Sequence, residues 1–142
     1  MMNVIAAKAQ CFKEALEPSF STYAQAVIKN AQAMCHVFKE HGLHVQTGGT
    51  DSHIILLNFS TNKYSGKMAA DALEEHNIIV NKNPVPNDPR PMKECSGIRI
   101  GTAAETTKGT ANFPDLARKI CRILDEIEEF KTKVIESYQR RT

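Results

Sequence analysis

The sequence predicts an α/β sandwich of two layers, a small mixed or antiparallel sheet with helices packed mainly on one face. Three observations lead there. Apolar residues recur at helical spacing in two long segments, near the start and at the end of the chain. Short aliphatic runs with strand character lie between them. The resulting order is helix, helix, strand, strand, helix, strand, loop, strand, helix, with no internal repeat.

The first helix is expected over residues 3–16, "NVIAAKAQCFKEAL", which holds strong helix formers and no breaker before Pro18. It begins without a cap or lead-in and is apolar on more than one face, as in a piece cut from something longer. In the second helix Phe20, Tyr23, Val27, Ala31, Met34 and Phe38 share one face. Gly42 stops it, with Lys39 and His41 in the last turn. After Gly42 the period changes: "LHVQTGG" alternates as a strand, and "SHIILLNF" suits a strand buried on both faces. A third helix, about 67–76, takes Ser65 as N-cap and turns Met68, Ala72 and Leu73 inward. "NIIVN" reads as a short strand. "NPVPNDPRPM" holds four of the six prolines, so it is a fixed, extended loop. The strand "GIRIG" follows. A long final helix starts near Pro114 with a stripe of Leu116, Ile120, Ile123, Leu124, Ile127, Phe130 and Val134. The tail "SYQRRT" is expected to fray.

The 142 residues are read as a single domain, 1–142, with leading helices over 1–41 and the α/β part over 42–142. A net charge of +2 gives no electrostatic case for nucleic acid, and no apolar run approaches a membrane span. Cys11, Cys35, Cys95 and Cys121 are scattered without a CxxC pair. They imply a reducing, cytoplasmic compartment without disulfides or structural zinc, and three of them sit in helical patterns where free cysteine packs as a small hydrophobe.

In "CSGIRIGT", Ile98 and Ile100 face one side of the strand, so Arg99 faces the other, between Gly97 and Gly101. Such an arginine can grip a carboxylate through two parallel hydrogen bonds while the glycines keep side chains away, or it can pair with a nearby acidic residue. Asn83, in "NKN" at the mouth of the proline-rich loop, can offer an amide to a heterocycle, or Asn81 and Asn83 can bond the turn backbone. Asp51 and His53 fit a turn-stabilising aspartate and a strand-edge histidine better than an acid–base pair. His36, Glu40, His41 and His44 lack the HExxH pattern and suit a solvated helix end rather than a metal site. Thr106 and Thr107 lie in a candidate short helix ending at Gly109, where their hydroxyls suggest capping. No nucleophile with a base and no phosphate cradle is evident.

Taken together, "MNVIAAKA", "GGTDSHIILLN", "NIIVNKNPVPNDP" and "SGIRIGTAAETTKG" resemble the C-terminal region of serine hydroxymethyltransferases, in order and without a large gap from Met2 to about Gly109. The resemblance implies the small domain of an aminotransferase-like, fold type I enzyme that interconverts serine and glycine, with pyridoxal phosphate as cofactor and tetrahydrofolate as one-carbon carrier. It implies that Arg99 binds the substrate α-carboxylate and that Asn83 contacts the folate. It places the Schiff-base lysine and the phosphate-binding loops in an N-terminal large domain outside this sequence, so neither Lys82 nor Lys108 is that lysine. No catalytic residue, metal site or tightly bound cofactor is expected here, and the chain alone is expected to be inactive. The implied partners are the large domain, serine or glycine, folate, and further copies in a homo-oligomer. Ala103 and Lys108 depart from the family's "GTPA.TTRG", which removes an arginine found there in relatives. A non-catalytic carboxylate-binding module, or the small domain of another fold type I transferase, would use Arg99 equally; "NKN" and "VPNDP" favour the folate enzyme.

Overall fold

The structure, a computed structural model, describes residues 1–139, the side chains of 134 and 137–139 excepted. Helices α1 (Met2–Ala15) and α2 (Pro18–Glu40) lead into strands β1 (His44–Val45) and β2 (Ile54–Asn58). Then follow α3 (Gly66–Glu75), β3 (Asn81–Asn83), β4 (Gly97–Gly101), α4 (Ala103–Lys108) and α5 (Phe113–Gln139). The strands form one sheet in the order β1-β2-β4-β3, every pair antiparallel. Because β4 inserts between β2 and β3, those two strands run parallel and α3 is the crossover joining them, a split βαβ unit.

The core lies between the sheet and the helices. Ile55 and Leu57 of β2 and Ile98 and Ile100 of β4 point into it. They meet Ala31, Met34 and Phe38 of α2, Ala69 and Leu73 of α3, and Ile120 and Leu124 of α5. Phe59 and Tyr64 close one end with their rings 4.9 Å apart and tilted by 53°. On the opposite face Ile54 and Leu56 are half-buried, and only Asn58 at the end of the strand is buried. The continuous aliphatic run of β2 thus serves a strand covered on one face, where the sequence suggested cover on both.

Helix ends explain most of the boundaries. Pro18 takes the first helical position of α2, so it starts that helix as well as ending the previous segment. At the other end Gly42, at φ 83°, donates to the Lys39 carbonyl while Leu43 donates to that of Phe38, a Schellman cap. Ser65 caps α3 as expected, accepting the Met68 N–H. Asn77, at φ 60°, closes α3 in the manner of Gly42, with Asn77 and Ile78 donating to the Glu74 and Leu73 carbonyls. That cap occupies the residues expected to start the strand "NIIVN". The strand therefore forms later, over Asn81–Asn83, and Ile79 is 84% exposed. The strand expected through "LHVQTGG" is likewise cut to two residues, because Thr47 turns to φ 63° inside a short 3-10 helix, Gln46–Gly48.

In α5 the predicted stripe holds for Ile120, Ile123 and Leu124, with Leu116 and Ile127 half-buried, but Phe130 is exposed beyond the edge of the core. The helix continues through Gln139; the rest of the tail expected to fray, 140–142, and the side chain of Val134 lie outside the described residues. Helix α1 buries none of its residues, and Cys11 on it is exposed rather than packed, whereas Cys35, Cys95 and Cys121 are buried free thiols.

Candidate ligand-binding face

The sheet face turned away from the core carries the candidate site, and strand alternation decides what stands on it. Ile98 and Ile100 are committed to the core, so Arg99 is driven to the other side, where it is exposed. Its neighbours in register are Leu56 on β2 and Asn81 on β3. Asn83 lies on the same face, opposite Gly97, about 8 Å from Arg99 by strand geometry. Among the described residues, Arg99 makes no hydrogen bond and has no carboxylate within 4.0 Å, so its five donors are unused. Among the described residues, no acidic side chain forms the ion pair that the sequence left open, although Asp71 and Glu74 line a cavity that Arg99 shares.

Arg99 forms the wall between two shallow cavities. One, of about 430 Å³, is also lined by His53, Ile54, Asn81 and Gly101; the other, of about 490 Å³, by Asn81, Lys82 and Asn83 and by Lys67, Asp71 and Glu74 of α3, so it carries both signs of charge. The two glycines flanking Arg99 differ in role. A Cβ on Gly101 would meet nothing within 4 Å, so its absence leaves room beside the guanidinium. A Cβ on Gly97 would stand 2.6 Å from the Leu57 carbonyl oxygen and 2.9 Å from Val85 Cγ1. Gly97 is required by packing under the proline-rich loop, not for ligand access.

Asn83 is half-buried, and its Nδ2 donates to the carbonyl of Pro84 at 2.8 Å, so the turn-bonding role open in the sequence is realised in part. That contact uses one amide hydrogen and leaves Oδ1 and the second hydrogen available. Lys82 turns to the Lys93 carbonyl at 2.5 Å, and Lys108 pairs with Glu105 at 2.6 Å.

The proline-rich loop is fixed, as its composition implied, by a network that the sequence did not signal. Asp88 accepts the Val85, Arg90 and Ser96 N–H groups and the Ser96 hydroxyl, at 2.5–3.1 Å. Arg90 donates to the Phe59 and Asn62 carbonyls and to Ser96 Oγ. Burial alone would raise the Asp88 carboxyl, but the hydrogen bonds from Ser96, Arg90 and Val85 outweigh it and hold the group at about 2.

The remaining candidates are structural. Asp51 and His53 do not bond each other; Thr50 and Ser52, rather than Asp51, make the turn before β2 through Ile54. The backbone carbonyl of His53 accepts the Thr102 N–H, and the residue lines the Arg99 cavity, a position invisible to the sequence pattern. Thr106 and Thr107 bond carbonyls one turn back and meet Asn30 and Tyr23, tying α4 to α2 rather than capping it. His36 pairs with Glu40 and His41 with Asp125 on exposed helix ends; among the described residues no three His, Cys, Asp or Glu side chains gather as metal ligands. No described helix is long and apolar enough to cross a membrane.

Comparison with known proteins gives a family. The sequence model described as serine hydroxymethyltransferase matches residues 1–121. The chain is 51% identical over 127 residues to a serine hydroxymethyltransferase of Psychrobacter cryohalolentis, covering 88% of this chain and 30% of that one. It is 53% identical over 129 residues to serine hydroxymethyltransferase 1 of Pseudomonas putida (89% and 31%) and 51% over 131 residues to that of Chromohalobacter salexigens (91% and 31%). The chain thus spans about 30% of the length of the curated relatives it matches.

Proposed function

The chain belongs to the serine hydroxymethyltransferase family, and we propose that it works as the family's C-terminal domain, one domain over residues 1–142. In that role it completes a site for serine–glycine interconversion whose larger part lies on an N-terminal domain. Arg99 binds the amino-acid carboxylate and Asn83 contacts the folate.

The observation that carries this reading is the guanidinium of Arg99, unpaired among the described residues and held at the middle of a three-strand ladder on the sheet face turned away from the core. A planar carboxylate accepts two parallel hydrogen bonds from such a fork, which fixes both the position and the rotation of the amino acid. The Asn83 amide, about 8 Å away on the same face, suits the mixed donors and acceptors of a heterocycle.

The residues here do not fit pyridoxal phosphate itself. Lys82 and Lys108 are committed to the Lys93 carbonyl and Glu105, and the chain has no glycine-rich phosphate cradle. We therefore assign the cofactor to the N-terminal domain, where it would act as the electron sink of the reaction. This chain alone is then inactive; its partners are that domain, serine or glycine, and folate, within a homo-oligomeric enzyme of the cytoplasm.

Reconstitution tests the reading. This chain is mixed with the separately produced N-terminal domain of a relative, loaded with pyridoxal phosphate, and glycine formation from serine and tetrahydrofolate is followed. Turnover in the mixture and in neither half is the expected result. Silence from halves that co-purify as a complex would contradict it.

A further inference from the structure

Arg99 and Asn83 sit on opposite sides of a thirteen-residue loop, 84–96, in which no helix or strand forms. Arg99 needs no help from that loop, because β4 is laddered to β2 on one side and β3 on the other. Asn83 is different. It is the last residue of an edge strand, paired only with Gly97, and the chain beyond it turns at once into prolines. Four prolines fix φ locally but supply no N–H groups, so the loop is tied by its carbonyls and by side chains. The Pro84 carbonyl accepts from Asn83 Nδ2, and that of Pro91 accepts the Glu94 and Cys95 N–H groups.

The later half of the loop is tied to β3 and α3 by Lys82 Nζ on the Lys93 carbonyl and by the Gly66 and Lys67 N–H groups on the Cys95 and Glu94 carbonyls. The tie between its two ends comes instead from the Asp88 carboxylate. Its Oδ2 accepts the Val85 N–H at 3.1 Å, two residues after Asn83, and the Ser96 N–H at 2.8 Å, three residues before Arg99. Its Oδ1 accepts the Ser96 hydroxyl at 2.5 Å. One side chain thereby joins the entrance of the loop to its exit. Ser96 is fully buried and has every polar group engaged: its carbonyl accepts the Phe59 N–H at 2.6 Å and its Oγ accepts Arg90 Nη1 at 3.0 Å. The joint is therefore tied to the end of β2 as well as to the start of β4. Val85, held by the same carboxylate, lies against Gly97, leaving no space there for a Cβ.

We propose that Asp88 is a positioning residue for the folate contact: by joining Val85 to Ser96 it holds Asn83 at a fixed offset from Arg99 before any ligand arrives. The proposal rests on Arg99 and Asn83 being the ligand contacts. It makes an asymmetric claim, since the ladder holds Arg99 independently: loss of the Asp88 carboxylate disorders Asn83 and leaves Arg99 in place.

The test is nuclear magnetic resonance relaxation on the full chain, comparing wild type with Asp88→Asn. The expected result is a fall in the order parameters of the Asn83 side-chain amide and the Val85 amide from about 0.85 to below about 0.6, with Arg99 Nε–H and the α5 amides unchanged. In the reconstituted assembly the same variant loses about 10-fold in tetrahydrofolate affinity and less than about 2-fold in serine affinity, the scale of losing hydrogen bonds to a charged group. Unchanged order at Asn83, or equal losses for both ligands, overturns the proposal. If Asp88→Asn does not fold, Ser96→Ala decides: removing one of the bonds to Asp88 lowers the same order parameters and costs about 2- to 3-fold in folate affinity only, and no change at Asn83 overturns the proposal. Failure of the underlying assignment looks different, because Arg99→Ala and Asn83→Ala would then leave both affinities untouched whatever Asp88 does.

Discussion

Asn81 and Arg99 stand directly opposite each other across the β3–β4 ladder, on the face of the sheet turned away from the core. The pairing puts an amide beside an unpaired guanidinium and places the second asparagine of "NKN" two residues further along the same face. The grouping of these polar side chains on one surface follows from two alternating strands in register, not from any sequence-contiguous motif.

Replacing Asn83 by Ala separates the two ligands. Tetrahydrofolate affinity in the reconstituted assembly is expected to fall about 5- to 20-fold, the range for one or two hydrogen bonds to neutral groups. Serine affinity should change by less than about 2-fold, because the Arg99 ladder is untouched. Titration calorimetry with each ligand measures both.

The two glycines around Arg99 should respond in opposite ways. Gly97→Ala places a Cβ 2.6 Å from a backbone oxygen and is expected to cost about 1–3 kcal/mol in urea unfolding. Gly101→Ala meets nothing and should change stability by less than about 0.5 kcal/mol. Its methyl group intrudes on the Arg99 cavity, so it should weaken serine binding instead.

Acid should loosen the proline-rich loop before the core. The Asp88 carboxyl has its folded value lowered to about 2 from 3.8, so its contribution is fully present above 3.8 and fades as pH falls from there toward 2. Amide exchange at Val85 and Ser96 should therefore quicken over that window. In Asp88→Asn those amides should exchange rapidly at every pH, with no step.

Thiol chemistry reports on the packing. Cys11 is exposed, whereas burial raises the Cys35 thiol and pushes Cys121 up to about 11, and Cys95 lies inside the loop junction. A disulfide reagent at pH 8 should titrate one thiol rapidly in the native chain and four in denaturant.

Much of this was legible in the sequence because it depends on local periodicity. The alternation of Ile98, Arg99 and Ile100 located both the strand and its exposed cation, and Ser65 and Gly42 marked helix ends through chemistry that acts within one turn. Misreadings arose where a non-glycine residue took a left-handed conformation. Asn77 capped α3 inside an apparent strand, and Thr47 turned the chain inside another. The Asp88 network was hidden for a different reason: beside the local bonds from Val85 and Arg90, it joins Ser96 and, through Arg90, the Phe59 and Asn62 carbonyls, which no local spacing announces. Residue pattern alone also left Arg99 between a structural and a ligand-binding role; only the fold shows that no described carboxylate pairs with it.

Arg99→Lys in the reconstituted assembly tests the central claim most directly. Lysine keeps the charge but loses the planar fork, so serine affinity is expected to fall about 10- to 100-fold, with the circular dichroism spectrum and the complex between the halves preserved. Serine affinity equal to that of the wild type in a folded, assembled Arg99→Lys variant would contradict the assignment of Arg99 to the substrate carboxylate.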